Sequence, residues 1–199
     1  MQSIFSVAIA ALLFASTVGD TIPQKPEDIS PLLIGETIPD IRLQSVDGKS
    51  VSLSGEVARK PTVLVFYRGG WCPYCSRQLA ELRTLEPDLA KMGYQLIAVS
   101  TDSPASLQST LDKTELTYTL LSDADVTAAK AFGIAFKAPV SYSSTLEKGS
   151  GGKNVEKLLP VPAVFLLNQQ GVIKFEYINP NFKERMSAKL LKAAAEASL

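Results

Sequence analysis

Histidine is missing from this 199-residue chain, and its absence removes much of the usual catalytic repertoire. No Ser-His or Cys-His pair can form, and no His-based metal site. Acid–base help must come from carboxylates, tyrosines, water or backbone. Net charge is missing too, with 20 basic residues against 20 acidic ones. Nothing therefore argues for nucleic acid or an anionic membrane as partner. Cysteine is scarce: there are two, and no third that could mispair with them. Glycine and proline, 12 of each, are ordinary, and no internal repeat or low-complexity tract is present.

The leading segment Met1-Gln2-Ser3 also lacks Lys and Arg. The chain is then apolar from Ile4 to Phe14 and small-residued over Ala15-Ser16-Thr17-Val18-Gly19. Residues 1–19 read as a secretory signal peptide, too short an apolar run to span a bilayer comfortably. No cysteine comes after it at the boundary, which excludes a lipoprotein anchor; an uncleaved N-terminal anchor is the alternative. An exported protein, periplasmic or secreted, works where disulfides persist. Residues 20–34, rich in Pro and Asp, read as a linker, leaving residues 35–199 as one domain with a sizeable core.

The chemistry-bearing residues are concentrated in one stretch. Trp71-Cys72-Pro73-Tyr74-Cys75 holds both cysteines. It comes after Val63-Leu64-Val65-Phe66-Tyr67, a β-branched and aromatic run that predicts a buried strand. Arg68-Gly69-Gly70 predicts a flexible turn, and from Pro73 the pattern is helical. A C-x-x-C between a strand and a helix is a thioredoxin-type redox arrangement. A helix N-terminus presents unpaired N–H groups and the positive end of the dipole, which favour a thiolate. Cys72 is expected at the N-cap, with Pro73 at the first helical position, where a missing N–H costs nothing. Cys75 lies one turn on, within reach of a mixed disulfide at Cys72. Arg68 and Arg77 are nearby cations able to lower the thiol pKa. A purely structural bridge closing so short a loop would stabilise the fold little.

The rest of the pattern predicts an α/β domain with a mixed central sheet. Ile41-Arg42-Leu43, Asp47-Gly48 and Val51-Ser52-Leu53 signal an N-terminal β-hairpin. Strands are expected at 62–67, 94–100 and 118–121, and as a hairpin at 164–167 and 172–177 around Asn168-Gln169-Gln170-Gly171. Helices are expected from Pro73 with a kink at Pro87, from Pro104 to about Lys113, and from Asp123 to Phe132. A terminal helix is expected from about Pro180, with Phe182, Met186, Leu190 and Ala194 on its apolar stripe. Residues 135–160 have no clear period and read as a long insertion with at most one helical turn.

The segment Phe66-Tyr67-Arg68-Gly69-Gly70-Trp71-Cys72-Pro73-Tyr74-Cys75 resembles the peroxiredoxin-like AhpC/TSA (alkyl hydroperoxide reductase/thiol-specific antioxidant) branch of the thioredoxin superfamily. The resemblance continues through Val99-Ser100-Thr101-Asp102-Ser103-Pro104, Ala131-Phe132-Gly133-Ile134-Ala135-Phe136-Lys137, Leu159-Pro160-Val161-Pro162-Ala163 and Asn179-Pro180-Asn181-Phe182. It implies a thioredoxin fold with an N-terminal β extension and one insertion. Two departures from the peroxiredoxin pattern stand out. In that register Cys75 takes the peroxidatic position, Cys72 replaces a Thr/Ser, and Arg68 replaces a Pro. The later arginine falls at Pro162. The thioredoxin pattern instead has a proline there, which implies a cis Val161-Pro162 peptide presenting backbone to a substrate chain; an ordinary trans turn is the bland alternative.

Three functions are compatible with these features. The first is a thiol–disulfide oxidoreductase with antioxidant role, in which Cys72 attacks, Cys75 resolves, and Trp71, Tyr74, Val161 and Pro162 line the substrate. Trp71 is expected partly exposed; Arg68 either binds an anionic group such as a glutathione carboxylate or covers surface. The second is a thiol-dependent peroxidase with Cys75 in the peroxidatic register. The third is a non-catalytic Cu(I)-binding or redox-sensing module, with Met92 and Met186 better explained as core. The first two need no cofactor and no metal, and take a protein or small-molecule thiol/disulfide, or a peroxide, with a thioredoxin or glutathione system as reductant.

Overall fold

The computed structural model describes residues 22–114 and 116–198. The expected signal peptide lies outside them. Among the described residues, no helix is long and apolar enough to cross a membrane.

The hairpin forms as expected. β1 (Arg42–Ser45) and β2 (Ser50–Ser52) pair antiparallel around a turn in which Gly48 adopts φ 79°. Ser52 then caps an unforeseen short helix, α1 (Leu53–Val57), by accepting from the Gly55 N–H. β3 (Thr62–Tyr67) is buried at every position, as its apolar run requires. It leads through residues 68–72 into α2 (Pro73–Lys91), which continues unbroken past Pro87. Next along the chain come β4 (Gln95–Ser100), α3 (Pro104–Thr114), β5 (Thr119–Ser122) and α4 (Thr127–Ala131). α4 is shorter than its expected span because Val126 takes a left-handed conformation (φ 62°). The Asp123 carboxylate instead caps it from a distance, accepting from the Ala128 and Ala129 N–H groups, each at 2.8 Å.

The expected structureless insertion is ordered. β6 (Ala135–Lys137) pairs antiparallel with β7 (Leu158–Pro160), enclosing a short 3-10 turn and α5 (Ser143–Ser150). The chain closes with β8 (Ala163–Leu167), β9 (Ile173–Ile178) and α6 (Ala188–Ala197).

The main sheet has seven strands in the order β2-β1-β5-β4-β3-β8-β9. β3, β4 and β5 run parallel, while β1, β8 and β9 join antiparallel. Alternate residues of β3 point to opposite faces. Leu64 and Phe66 join α1 and α4; Val63, Val65 and Tyr67 join α2, α3 and α6.

Within residues 20–34, Ile22, Ile29 and Leu32 pack on the core, and Leu32 N–H bonds to the Phe132 carbonyl. The terminal helix begins at Ala188, not near Pro180. Asn179 and Asn181 side chains accept from the N–H two residues on, holding the backbone in Asx turns. Ser187 supplies the true N-cap. The helix therefore buries Leu191, Ala194 and Ala195 and leaves Leu190 45% exposed.

Candidate active site

The redox turn lies where the parallel strands β3, β4 and β5 end, the position at which open α/β sheets usually place ligands. Cys72 is the N-cap of α2 and Pro73 its first residue, as the sequence indicated. The two glycines before them are dictated by packing. A side chain at Gly69 would begin 2.3 Å from Trp71 Nε1, and one at Gly70 would begin 2.1 Å from Thr110 Oγ1. Asp102, just past β4, accepts from the Gly70 N–H at 2.7 Å, and Thr101 donates to the Arg68 carbonyl. The turn is thereby tied to the neighbouring strand.

Both cysteines are free thiols and buried; Cys72 retains 1% exposure. Their acidities are driven apart. The Cys72 thiol is brought down to about 6, first because the Cys75 thiol hydrogen-bonds to its sulfur, with Arg68 and Arg185 adding positive potential against the burial. Burial pushes the Cys75 thiol well up, and its role as donor to Cys72 pushes it further. One sulfur is thus the thiolate and its neighbour the proton holder. Arg185 reaches Cys75 Sγ at 3.4 Å and Gln78 Oε1 at 3.3 Å. It comes from the 179–187 segment that the Asx turns keep out of helical conformation.

Around the sulfurs stands an aromatic enclosure. Arg68 is 3% exposed, with its guanidinium 4.2 Å from the Phe182 ring centre, 4.4 Å from Tyr142 and 5.1 Å from Trp71. It therefore neither covers surface nor offers itself to solvent. Trp71 is partly exposed, as expected, and its ring tilts against Tyr142 at 5.5 Å. Tyr74 meets Phe182 edge-on at 5.6 Å. The insertion, through Tyr142, and the C-terminal segment, through Phe182 and Arg185, complete the site. Arg77 is exposed and lies over the Tyr74 ring at 5.9 Å, not against either sulfur. Tyr67, wholly buried, is held protonated by burial and by the neighbouring Asp102 and Cys75.

Val161-Pro162 corrects an expectation. Every peptide bond among the described residues is trans. Both residues are buried; the Val161 N–H is bonded to the Ile134 carbonyl at 2.8 Å, and the Pro162 carbonyl receives the Asn179 N–H at 3.2 Å. These groups are engaged within the fold, as befits a link between β7 and β8. No cluster of metal ligands occurs among the described residues.

Arg185, Tyr67, Asp102, Tyr142 and Phe182 were not singled out as functional residues from the sequence. Tyr67, Asp102 and Phe182 lie in segments that carry the family resemblance; for Arg185 the signal was Asn179-Pro180-Asn181, whose turn-forming residues argue against helix before it.

With this geometry in place, the AhpC/TSA family model matches residues 34–176. The chain belongs to the AhpC/TSA family. It is 34% identical over 106 residues to the putative peroxiredoxin bcp of Haemophilus influenzae, covering 53% of this chain and 68% of that protein. Chloroplastic peroxiredoxin Q of Triticum aestivum is 30% identical over 158 residues, covering 79% of this chain and 64% of that one. Peroxiredoxin Bcp of Escherichia coli K12 is 29% identical, with 78% and 90% covered. Among solved structures, peroxidoxin BcpB of Mycobacterium tuberculosis superposes with TM-score 0.66 at 22% identity over 83% of this chain and 94% of that one. Reduced Prx3 of Vibrio vulnificus, in complex with H2O2, superposes with TM-score 0.70 at 19% identity over 83% and 96%. At such identities the likeness speaks to the fold, which is the expected thioredoxin fold. As a member of the AhpC/TSA family the chain is a thiol-based oxidoreductase.

Proposed function

We propose that this protein reduces small hydroperoxides through a Cys72–Cys75 dithiol/disulfide cycle. The observation that carries the reading is the asymmetric sulfur pair, a Cys72 thiolate with pKa about 6 beside a protonated Cys75, in a site where Cys72 is 1% exposed. A folded protein disulfide needs an accessible sulfur and free backbone. Here the sulfur is covered, and the Val161 N–H and the Pro162 carbonyl are engaged. A two-oxygen substrate needs far less room than a protein chain. Kinship with peroxiredoxins supports the same choice over general disulfide exchange.

In the proposed cycle the Cys72 thiolate attacks one peroxide oxygen and the O–O bond breaks. The departing alkoxide or hydroxide takes a proton from solvent and leaves as alcohol or water, and Cys72 becomes a sulfenic acid. Arg185, beside the sulfurs, stabilises the negative charge that develops on the departing oxygen. Cys75 then attacks the sulfenic sulfur; its proton and the hydroxide leave as water, and a disulfide remains. Two electrons from external thiol restore the pair.

A second assignment has one observation in its favour: Arg185 touches Cys75 rather than Cys72, as suits a Cys75 that is itself attacked. Single variants separate the two. After one addition of peroxide, Cys75→Ser is expected to carry a sulfenic acid at Cys72 that dimedone traps, and Cys72→Ser to carry almost none. The opposite labelling would transfer the first step to Cys75. Failure of the wild type to consume peroxide with dithiothreitol, alongside rapid reduction of a protein disulfide, would restore disulfide exchange. The apolar run at residues 4–14, with small residues after it, supports export as the site of action, which fractionation of the full chain tests.

A further inference from the structure

Histidine is absent from the chain, yet the resolving thiol has to lose its proton before it can attack. Cys75 is 0% exposed, so no base from solvent reaches it. Tyr67, the last residue of β3, adjoins it in the same buried cluster. This tyrosine is also 0% exposed, and its hydroxyl has no hydrogen-bond partner among the described residues. Asp102 and Cys75 both raise its pKa, so it lies within range of each. In the parallel pairing of β3 with β4, Tyr67 is opposite Ser100, and the two side chains share a face. Ser100 is buried and favours the anions of both Tyr67 and Asp102. Its Oγ accepts from the Asp102 N–H at 3.3 Å. Asp102 is buried as well; one carboxylate oxygen holds the Gly70 N–H, and Oδ1 has no partner among the described residues.

Buried polar groups without partners are costly, and a row of them ending at a reactive thiol calls for a use. We propose that Tyr67 and Ser100 carry the Cys75 proton to Asp102 when Cys75 attacks the oxidised Cys72. The proposal rests on the dithiol cycle above. Tyr67 takes the thiol proton while passing its own through the Ser100 hydroxyl to the Asp102 carboxylate. It therefore never becomes an anion, which burial disfavours. The Cys75 thiolate attacks the sulfenic sulfur, the S–O bond breaks, and the departing hydroxide takes a proton from solvent. Asp102 stores the Cys75 proton while the disulfide lasts. When external thiol attacks Cys72 Sγ, the S–S bond breaks, Cys75 leaves as thiolate, and the proton returns along the same path. The cycle ends with Asp102 ionised again. Burial raises the Asp102 carboxyl to about 6, with the Gly70 N–H and Ser100 opposing, so at neutral pH it is ionised and able to accept. The groups around it that titrate or carry charge are Tyr67 from β3 and Arg68 and Cys72 in the turn it holds. Lys113 of α3 and Lys148 of α5 line the same cavity as Asp102.

Stopped-flow fluorescence of Trp71, the sole tryptophan and the neighbour of Cys72, reads the two oxidative steps as successive phases. Asp102→Asn keeps an oxygen for the Gly70 N–H, and Tyr67→Phe removes only a hydroxyl. Each is expected to slow the second phase about tenfold or more relative to the first. In the wild type the second phase should quicken as pH rises through about 6. In both variants that rise should flatten, while the first phase keeps the profile set by Cys72. Asp123→Asn, which alters a buried carboxyl at α4, should leave the ratio of the phases unchanged. A second phase of wild-type speed in either variant overturns the proposal. Equal slowing of both phases, or slowing of the first alone, overturns it too. Diamide, whose adduct on Cys72 must likewise be displaced by Cys75, gives the same two phases without peroxide. A wild type that closes its disulfide with diamide but not with peroxide would bring down the peroxidase reading, and the diamide phases would still decide the relay.

Discussion

The two faces of the central sheet differ in what they can tolerate. On one, Leu64 and Phe66 of β3 meet Phe132 and Phe165, with ring centres 4.9–6.2 Å apart and no titratable group among the rings. On the other, the same strand sends Tyr67 toward Cys75 and Asp102, and Arg185 bonds both Cys75 and Gln78, so an apolar layer ends in polar groups that depend on one another. A period of two residues thus gives one strand two jobs. One face supplies rigidity, and the opposite one carries chemistry. The sharpest way to break this division is to damage the first face alone. Phe165→Ala should cost about 3–5 kcal/mol in denaturant unfolding, while the pH midpoint of Cys72 alkylation in the surviving folded protein stays where it was. A shift of that midpoint would mean that the faces are not independent.

The converse change strikes the chemical face. Arg185→Ala removes a cation that favours the Cys72 thiolate, so the alkylation midpoint should rise above that of the wild type. The peroxide rate at neutral pH should fall about tenfold or more. Stability should drop by only about 1 kcal/mol, from the donor lost to Gln78. Lys at this position restores the charge and should recover part of the midpoint shift. An unmoved midpoint would remove Arg185 from the site.

A smaller effect concerns a carboxyl on the rigid face. Burial pushes Asp123 up to about 7 even though the Ala128 and Ala129 N–H groups favour its anion. Unfolded, it titrates near 4, about the usual value. Between these two values the folded state binds the extra proton. This contribution is therefore complete below about pH 4 and is lost as pH rises through about 7. Urea midpoints measured at acid and neutral pH should show that decline, and Asp123→Asn should flatten it while lowering stability overall through the weakened cap.

The legible and illegible parts of this molecule divide by range of interaction. Thr62–Tyr67, the N-cap at Cys72 and the hairpin at Gly48 were readable because strand period, cap chemistry and turn chemistry are local. The terminal helix was placed too early because Phe182, Met186 and Leu190 fit a helical stripe, while two asparagines and Ser187 carried more weight than the stripe. That displacement hid Arg185 and Phe182. Tyr142 was hidden for another reason: β6 and β7 are three residues each and find one another only by pairing across the insertion. The Val161-Pro162 expectation was an analogy with thioredoxins, and here the backbone groups of that link are engaged by Ile134 and Asn179.

Arg77 gives the finest test of the division. Sequence position alone makes it as good a candidate as Arg68 for tuning the thiols, since it lies two residues beyond Cys75. The fold turns it outward onto the Tyr74 ring, into solvent of high dielectric, where a charge is largely screened from a buried sulfur. Arg77→Ala should therefore move the Cys72 midpoint by no more than about 0.2 units and stability by less than about 0.5 kcal/mol. Alkylation profiles of this variant and Arg185→Ala, taken side by side at low and high salt, give the contrast. The Arg185 effect should persist in salt and the small Arg77 effect should vanish. A large, salt-resistant shift from Arg77 would show that the outer surface of α2 also sets the thiol chemistry, and the separation between enclosed and solvated charge would fail.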